Sequence, residues 1–140
     1  GWEVLVVDNN STDETQAVAA AHAARLPLRT AFEPAPGISH ARNRAIAEAQ
    51  GDYLLWTDDD ALVAPDWAEK LLEAFDRFGA DLVFGRVDPL WEAGRPPGWF
   101  TPAFRGMFAL LDLGGPPRVV ADRHVVGHNV NLAFRRSLVD

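Results

Sequence analysis

Short apolar runs alternate along this chain with stretches of helical periodicity, and the alternation predicts the elements. Glu3–Val7 is a short valine-rich run closed by Asp8-Asn9-Asn10, the pattern of a buried strand. Ser11-Thr12-Asp13-Glu14 has capping-box spacing and starts an alanine-rich helix running to about Arg25, which Pro27 stops. Leu28–Phe32 is a second strand, and Pro34-Ala35-Pro36-Gly37 a loop. From Ser39 to Gln50, Ala41, Ala45, Ile46 and Ala49 form one apolar stripe, with Gly51 placed to cap the helix end. Asp52–Thr57 is a third strand and leads straight into Asp58-Asp59-Asp60. Pro65 opens a helix in which Trp67, Leu71, Phe75 and Phe78 recur at helical spacing, and Gly79 ends it. Asp81–Val87 is a fourth strand, and Val125–Phe134 a last one before a helix opened by Arg136. The intervening stretch to about Pro117 is rich in proline, glycine and tryptophan, with one short helix near Ala103–Leu111; an irregular segment of that length is usually a functional loop. Strands alternating with helices define an α/β fold with a largely parallel sheet.

Length and charge limit what such a domain can do. A chain of 140 residues makes one ordinary domain with a core of its own. Its net charge of −7 argues against nucleic acid as the partner, since a phosphate backbone needs a basic stripe. A nucleotide held through a metal ion remains compatible, because carboxylates bind the metal and the metal binds the phosphates. Without cysteine there is neither a disulfide nor a thiolate metal site. No apolar run is long enough to span a bilayer, and the first residues do not resemble a signal peptide. The default compartment is the cytosol, with the inner face of a membrane the alternative for the full-length protein. The chain begins directly on a strand and stops at Asp140 where a helix starts, so a fragment is expected.

Five places carry candidate chemistry. Asp58-Asp59-Asp60 follows an apolar strand, and open α/β sheets bind ligands at the carboxyl ends of their strands. In an extended segment Asp58 and Asp60 face the same side and can converge on a hard cation, Mg2+ or Mn2+; the plain alternative is an acidic turn. Asp8 also ends a strand, suited to accepting hydrogen bonds from a ribose or base edge, or to shaping its own turn. Arg42 and Arg44 follow Ser39-His40 at the front of a helix, a favourable place for phosphate, although two helical arginines are more often a solvated face. His128 and Asn129 interrupt an apolar strand, either lining a pocket or satisfied within the core. Trp91, Trp99 and Phe100 either stack on a sugar ring or pin their loop.

Taken in order, these segments resemble family-2 glycosyltransferases. Glu3–Asp13 is similar to that family's second-strand signature; Gly37 with Ala41-Arg42-Asn43 and Ala45-Ile46 is similar to its next motif. Gly51-Asp52-Tyr53 leading to Asp58-Asp59-Asp60 resembles its D-x-D segment, and Gly127–Arg136 the strand before its catalytic carboxylate. The resemblance implies a GT-A, Rossmann-like three-layer α/β/α sandwich with a mostly parallel sheet. Residues 1–87 would form the nucleotide-sugar half, 88–124 a loop-rich acceptor side, and 125–140 the return strand. By that likeness Asp8 contacts the base, Arg42 lies beside the nucleotide, Asp58 faces the ribose, Asp60 binds the metal and Asp59 shares its water shell. His128 and Asn129 fall on the acceptor side. The implied partners are a nucleoside-diphosphate sugar and a glycan or lipid-linked acceptor, with transfer by inversion in polysaccharide or glycoconjugate synthesis. The family's first strand and its Glu-Asp base motif are expected before Gly1 and beyond Asp140, which leaves this piece without a base and inactive alone. The rival readings are a non-catalytic nucleotide-sugar-binding module and a phosphatase of the haloacid-dehalogenase type, which also carries D-x-D after a strand.

Overall fold

The computed structural model describes residues 1–122 and 124–139. The chain forms two compact units, one built on Gly1–Leu54 and the other on Leu55–Leu138.

In the first unit, strands β1 (Val4–Asp8) and β2 (Leu28–Phe32) pair in parallel, with Val4 opposite Leu28 and Asp8 opposite Phe32. A parallel pair needs a crossover, and helix α1 (Thr15–Ala23) supplies it. Helix α1 and helix α2 (Ile38–Glu48) both pack on this pair, burying Ala19 and Ala31. The capping box does not form. Asp8 takes the Ser11 amide, Asn10 turns the chain at φ 61°, and the helix starts later, where Asp13 Oδ1 accepts from the Thr15 amide at 3.0 Å and its hydroxyl at 2.5 Å. Gly51 is not the cap of α2 either. The chain becomes extended at Ala49, and the Arg29 guanidinium, paired with Glu3 at 2.7 Å, donates to the Glu48 carbonyl. A cation on the last-turn carbonyls does the work expected of a left-handed glycine.

Strand β3 (Tyr53–Trp56) belongs to a three-stranded sheet of order β3-β5-β4. Strands β4 (Leu82–Phe84) and β5 (Leu132–Arg135) are antiparallel, Leu82 opposite Phe134. The α/β class stands, with parallel pairing in the first unit and antiparallel pairing here. Helix α3 (Trp67–Phe78) follows its predicted stripe, burying Leu71 and Phe75. Phe75 is fully buried and Gly79 closes the helix at φ 57°, a left-handed conformation in which a side chain would be strained. Arg135 lies over the Phe75 ring at 5.5 Å and donates to the Ala80 carbonyl at 3.1 Å.

The expected strand Val125–Phe134 is shortened to its last residues. Asn129–Asn131 is a 3-10 turn, because the Asn131 side chain is drawn sideways. Its Oδ1 accepts from the Trp67 indole at 2.9 Å and its Nδ2 donates to the Arg86 carbonyl at 2.8 Å, while its carbonyl accepts from the Gly85 amide at 3.0 Å. Gly85 is what lets it in: a Cβ there would stand 2.3 Å from Asn131 Nδ2. Asn131→Ala should cost about 2 kcal/mol, roughly two neutral hydrogen bonds. Gly85→Ala should be destabilising alone and markedly less so in the Asn131→Ala background, since the collision then has no partner. Urea melts of the two single variants and the double variant measure this; additive losses would contradict the contact.

Candidate functional site

Asp8 is the buried carboxylate of the first unit, 3% exposed at the end of β1. One oxygen accepts from the Ser11 amide at 2.8 Å and the other from Gln16 Nε2 at 2.6 Å. The Ser11 amide, then the Gln16 side chain, stabilise the ionised form and lower the pKa below 3.8, against the opposing effect of burial. The Ser11 hydroxyl adds to these two donors, and an ionised carboxylate, which can accept about four hydrogen bonds, keeps acceptor capacity for a further N–H or O–H. The turn-shaping role and a ligand role are therefore compatible.

Next to it, Asn9 has a function the residue pattern did not show. Its Nδ2 donates to the carbonyls of Glu33 at 3.0 Å and Ala35 at 2.6 Å, and its Oδ1 accepts from the Gly37 amide at 2.8 Å. The Pro-Ala-Pro-Gly loop has few backbone donors of its own, and Asn9 supplies them from the neighbouring strand. This clamp ties the end of β1 to the start of α2, the helix that carries Arg42. Arg42 is half-buried there. Arg44 forms an ion pair with Glu48 at 3.5 Å, the ordinary helix-face arrangement.

In the second unit, Asp58, Asp59 and Asp60 follow β3 and are all exposed. The segment does not stay extended. The Ala61 amide donates to the Asp58 carbonyl at 3.2 Å, so Asp59 and Asp60 occupy a turn, and the expectation of two carboxylates on one side of a strand loses its premise. Among the described residues these three carboxylates have no hydrogen-bond or ion-pair partner, and no group of three or more His, Asp or Glu side chains is arranged to hold a metal. The donor set still suits a hard divalent cation. Mg2+ and Mn2+ are commonly held by one or two carboxylates while water and phosphate oxygens complete the shell, and hard oxygen donors free of cationic neighbours fit that role; an all-protein cage they do not make.

His128 and Asn129 are half-buried at the 3-10 turn, where the His128 carbonyl accepts from the Asn131 amide at 3.0 Å. Asn131, in the same motif, makes the contacts that organise this turn. Trp91 and Phe100 meet edge-to-face at 5.0 Å, so the rings of the irregular segment pack on one another. Asp140, the carboxylate nearest the expected base, lies outside the described residues.

The family model for glycosyl transferase family 2 matches residues 1–108, and the chain belongs to this family. Membership carries the GT-A α/β fold with it and removes the phosphatase alternative. Relatives include an uncharacterized glycosyltransferase of Mycobacterium tuberculosis, 39% identical over 90 residues, covering 64% of this chain and 39% of that protein. Succinoglycan biosynthesis protein ExoM of Rhizobium meliloti is 34% identical over 60% of this chain and 28% of its own length. Glucosyl-dolichyl phosphate glucuronosyltransferase of Haloferax volcanii is 31% identical over 73% of this chain and 32% of its own. The chain thus spans well under half the length of the curated relatives it matches.

Asp8 gives the first unit a pH dependence with a definite sign. Its folded pKa is depressed, so its contribution is complete above the ordinary value of 3.8 and is lost as the pH falls through the lower folded value. The native chain should melt above Asp8→Asn at neutral pH, and the gap should narrow in acid below 3.8. Thermal melts of both proteins across that range are the check; a constant gap contradicts the assignment.

Proposed function

We propose that this protein is a glycosyltransferase that binds a nucleoside-diphosphate sugar and passes the sugar to a glycan or lipid-linked acceptor with inversion. Family membership supports the reaction class. The observation that carries the donor-side reading is the run of three exposed, partner-free carboxylates after β3. Adjacent carboxylates repel one another and also repel a diphosphate, an arrangement that favours a cation between them. The relatives named for succinoglycan and for glucosyl-dolichyl phosphate support a carbohydrate product on a polymer or a lipid carrier.

On this reading Asp8 receives donors from the base, through the acceptor capacity that Ser11 and Gln16 leave. Arg42 balances charge beside the nucleotide, and Asp58 accepts from the ribose hydroxyls. Asp60 is the metal ligand, with Asp58 assisting and Asp59 orienting water around it. A divalent cation, Mg2+ or Mn2+, supplies neutralisation of the charge on the leaving diphosphate when bound. His128 and Asn129 belong to the acceptor side. The acceptor hydroxyl needs a positioned base, worth about 10²–10⁴-fold, and no described residue of this chain is assigned that role.

Calorimetric titration of uridine and other nucleoside diphosphates with Mn2+ or with chelator tests the donor site. Affinity should fall about tenfold or more in chelator, and Asp60→Ala should remove most of that difference. Asp58→Ala should weaken nucleotide binding with less effect on the metal. Equal affinity with and without the cation would remove the metal from the account.

A further inference from the structure

Residues 89–109 of the second unit hold a surface that donor chemistry does not use. Five rings from this stretch, Trp91, Trp99, Phe100, Phe104 and Phe108, pack against one another with centroids 5.0 to 6.3 Å apart. Most of these contacts are edge-to-face, the favoured geometry, so the cluster is held by its own contacts. It nevertheless leaves much apolar area in water. Trp99 is 59% exposed and Phe108 42%, while Leu90, next to Trp91, is 80% exposed and Met107, next to Phe108, is 79% exposed. One exposed leucine needs no explanation; two exposed rings of the cluster, with exposed Leu90 and Met107 as chain neighbours of two of its members, mark an interaction surface.

Charge selects the occupant. The chain carries −7, yet in this stretch Arg95 and Arg105 outnumber the single acid, Glu92. Both arginines are exposed, and neither has an ion-pair partner among the described residues. A soluble glycan would use ring faces and leave Leu90 and Met107 without a role. A second copy of so acidic a chain offers no general attraction. An anionic lipid surface uses every feature: leucine, methionine and phenylalanine enter the acyl boundary, tryptophan sits at the headgroups, and arginine meets the phosphates. No described helix is long and apolar enough to cross a membrane, so the contact is peripheral.

We propose that residues 90–108 dock this protein onto an anionic bilayer surface. The interaction is weak and salt-sensitive, because a few side chains and two charges supply it.

The test is co-sedimentation of the 140-residue chain with phosphatidylcholine vesicles, with and without phosphatidylglycerol. Binding should require phosphatidylglycerol and decline with added salt. Arg95→Gln and Arg105→Gln should each weaken it about fivefold. Leu90→Glu and Met107→Glu should each weaken it by about tenfold or more. Val126→Glu, at a position 70% exposed elsewhere in the unit, should leave it unchanged. Because these side chains are exposed, circular dichroism should show the same fold for every variant. Nucleoside-diphosphate titration of the same variants should be unaffected, which separates this surface from the donor site. Binding to neither vesicle, equal binding to both, or equal binding by the Met107→Glu variant overturns the proposal. So does a concentration-dependent dimer that Met107→Glu dissolves, since the patch would then serve a second copy.

Discussion

The Asn9 carboxamide holds two carbonyls and one amide of the loop between β2 and α2, and the end of β1 is shaped around those three bonds. A proline-bracketed loop lacks the donors to fold on itself, so its backbone groups must be met from outside or left in water. Asn131 does the equivalent in the second unit, joining the first residue of α3 to the backbone just after β4. In each unit one asparagine, which offers both donors and an acceptor, satisfies groups that are distant in sequence. The charged residues nearby are then spared that task. Asp8 is satisfied by Ser11 and Gln16, and Asp58, Asp59 and Asp60 have no such partner among the described residues.

That division of labour accounts for the contrast between the two sets of acids. Asp8 is buried and kept ionised by donors from Ser11 and Gln16, a preorganised group whose remaining acceptor positions are fixed in direction. The aspartates after β3 are exposed on a turn, their mutual repulsion unrelieved by any described cationic side chain. The first arrangement suits recognition of a neutral polar ligand edge. The second suits a cation that arrives with its own water and phosphate oxygens.

Local structure is legible in the sequence where local physics decides. The stripe of α3 is buried at Leu71 and Phe75, Gly79 is left-handed, and β2 occupies Leu28–Phe32 as its composition indicates. Boundaries moved where a distant side chain intervened. Ser11 has a good capping sequence, yet its amide is taken by Asp8; Gly51 follows a helix, yet Arg29 from another strand takes the terminal carbonyl. Val125–Phe134 contains enough apolar residues for a strand, but Asn131 bonds across to Trp67 and turns part of it into a 3-10 segment. The Asn9 clamp joins residues 24 and 26 positions apart, which no local pattern reveals. At the candidate site, the residues and their order were legible, whereas the turn at Asp59-Asp60 depends on one backbone bond from Ala61.

The central claim is that the three aspartates after β3 receive a divalent cation together with a nucleoside diphosphate. Paramagnetic broadening by trace Mn2+ in the amide spectrum of the 15N-labelled chain, with nucleoside diphosphate present, reads this directly. The account predicts broadening centred on the amides from Thr57 to Leu62, weakened by Asp60→Ala and sharpened again by chelator. Broadening centred instead on the acidic face of α3 at Glu69, Glu73 and Asp76, or unchanged by Asp60→Ala, would contradict it.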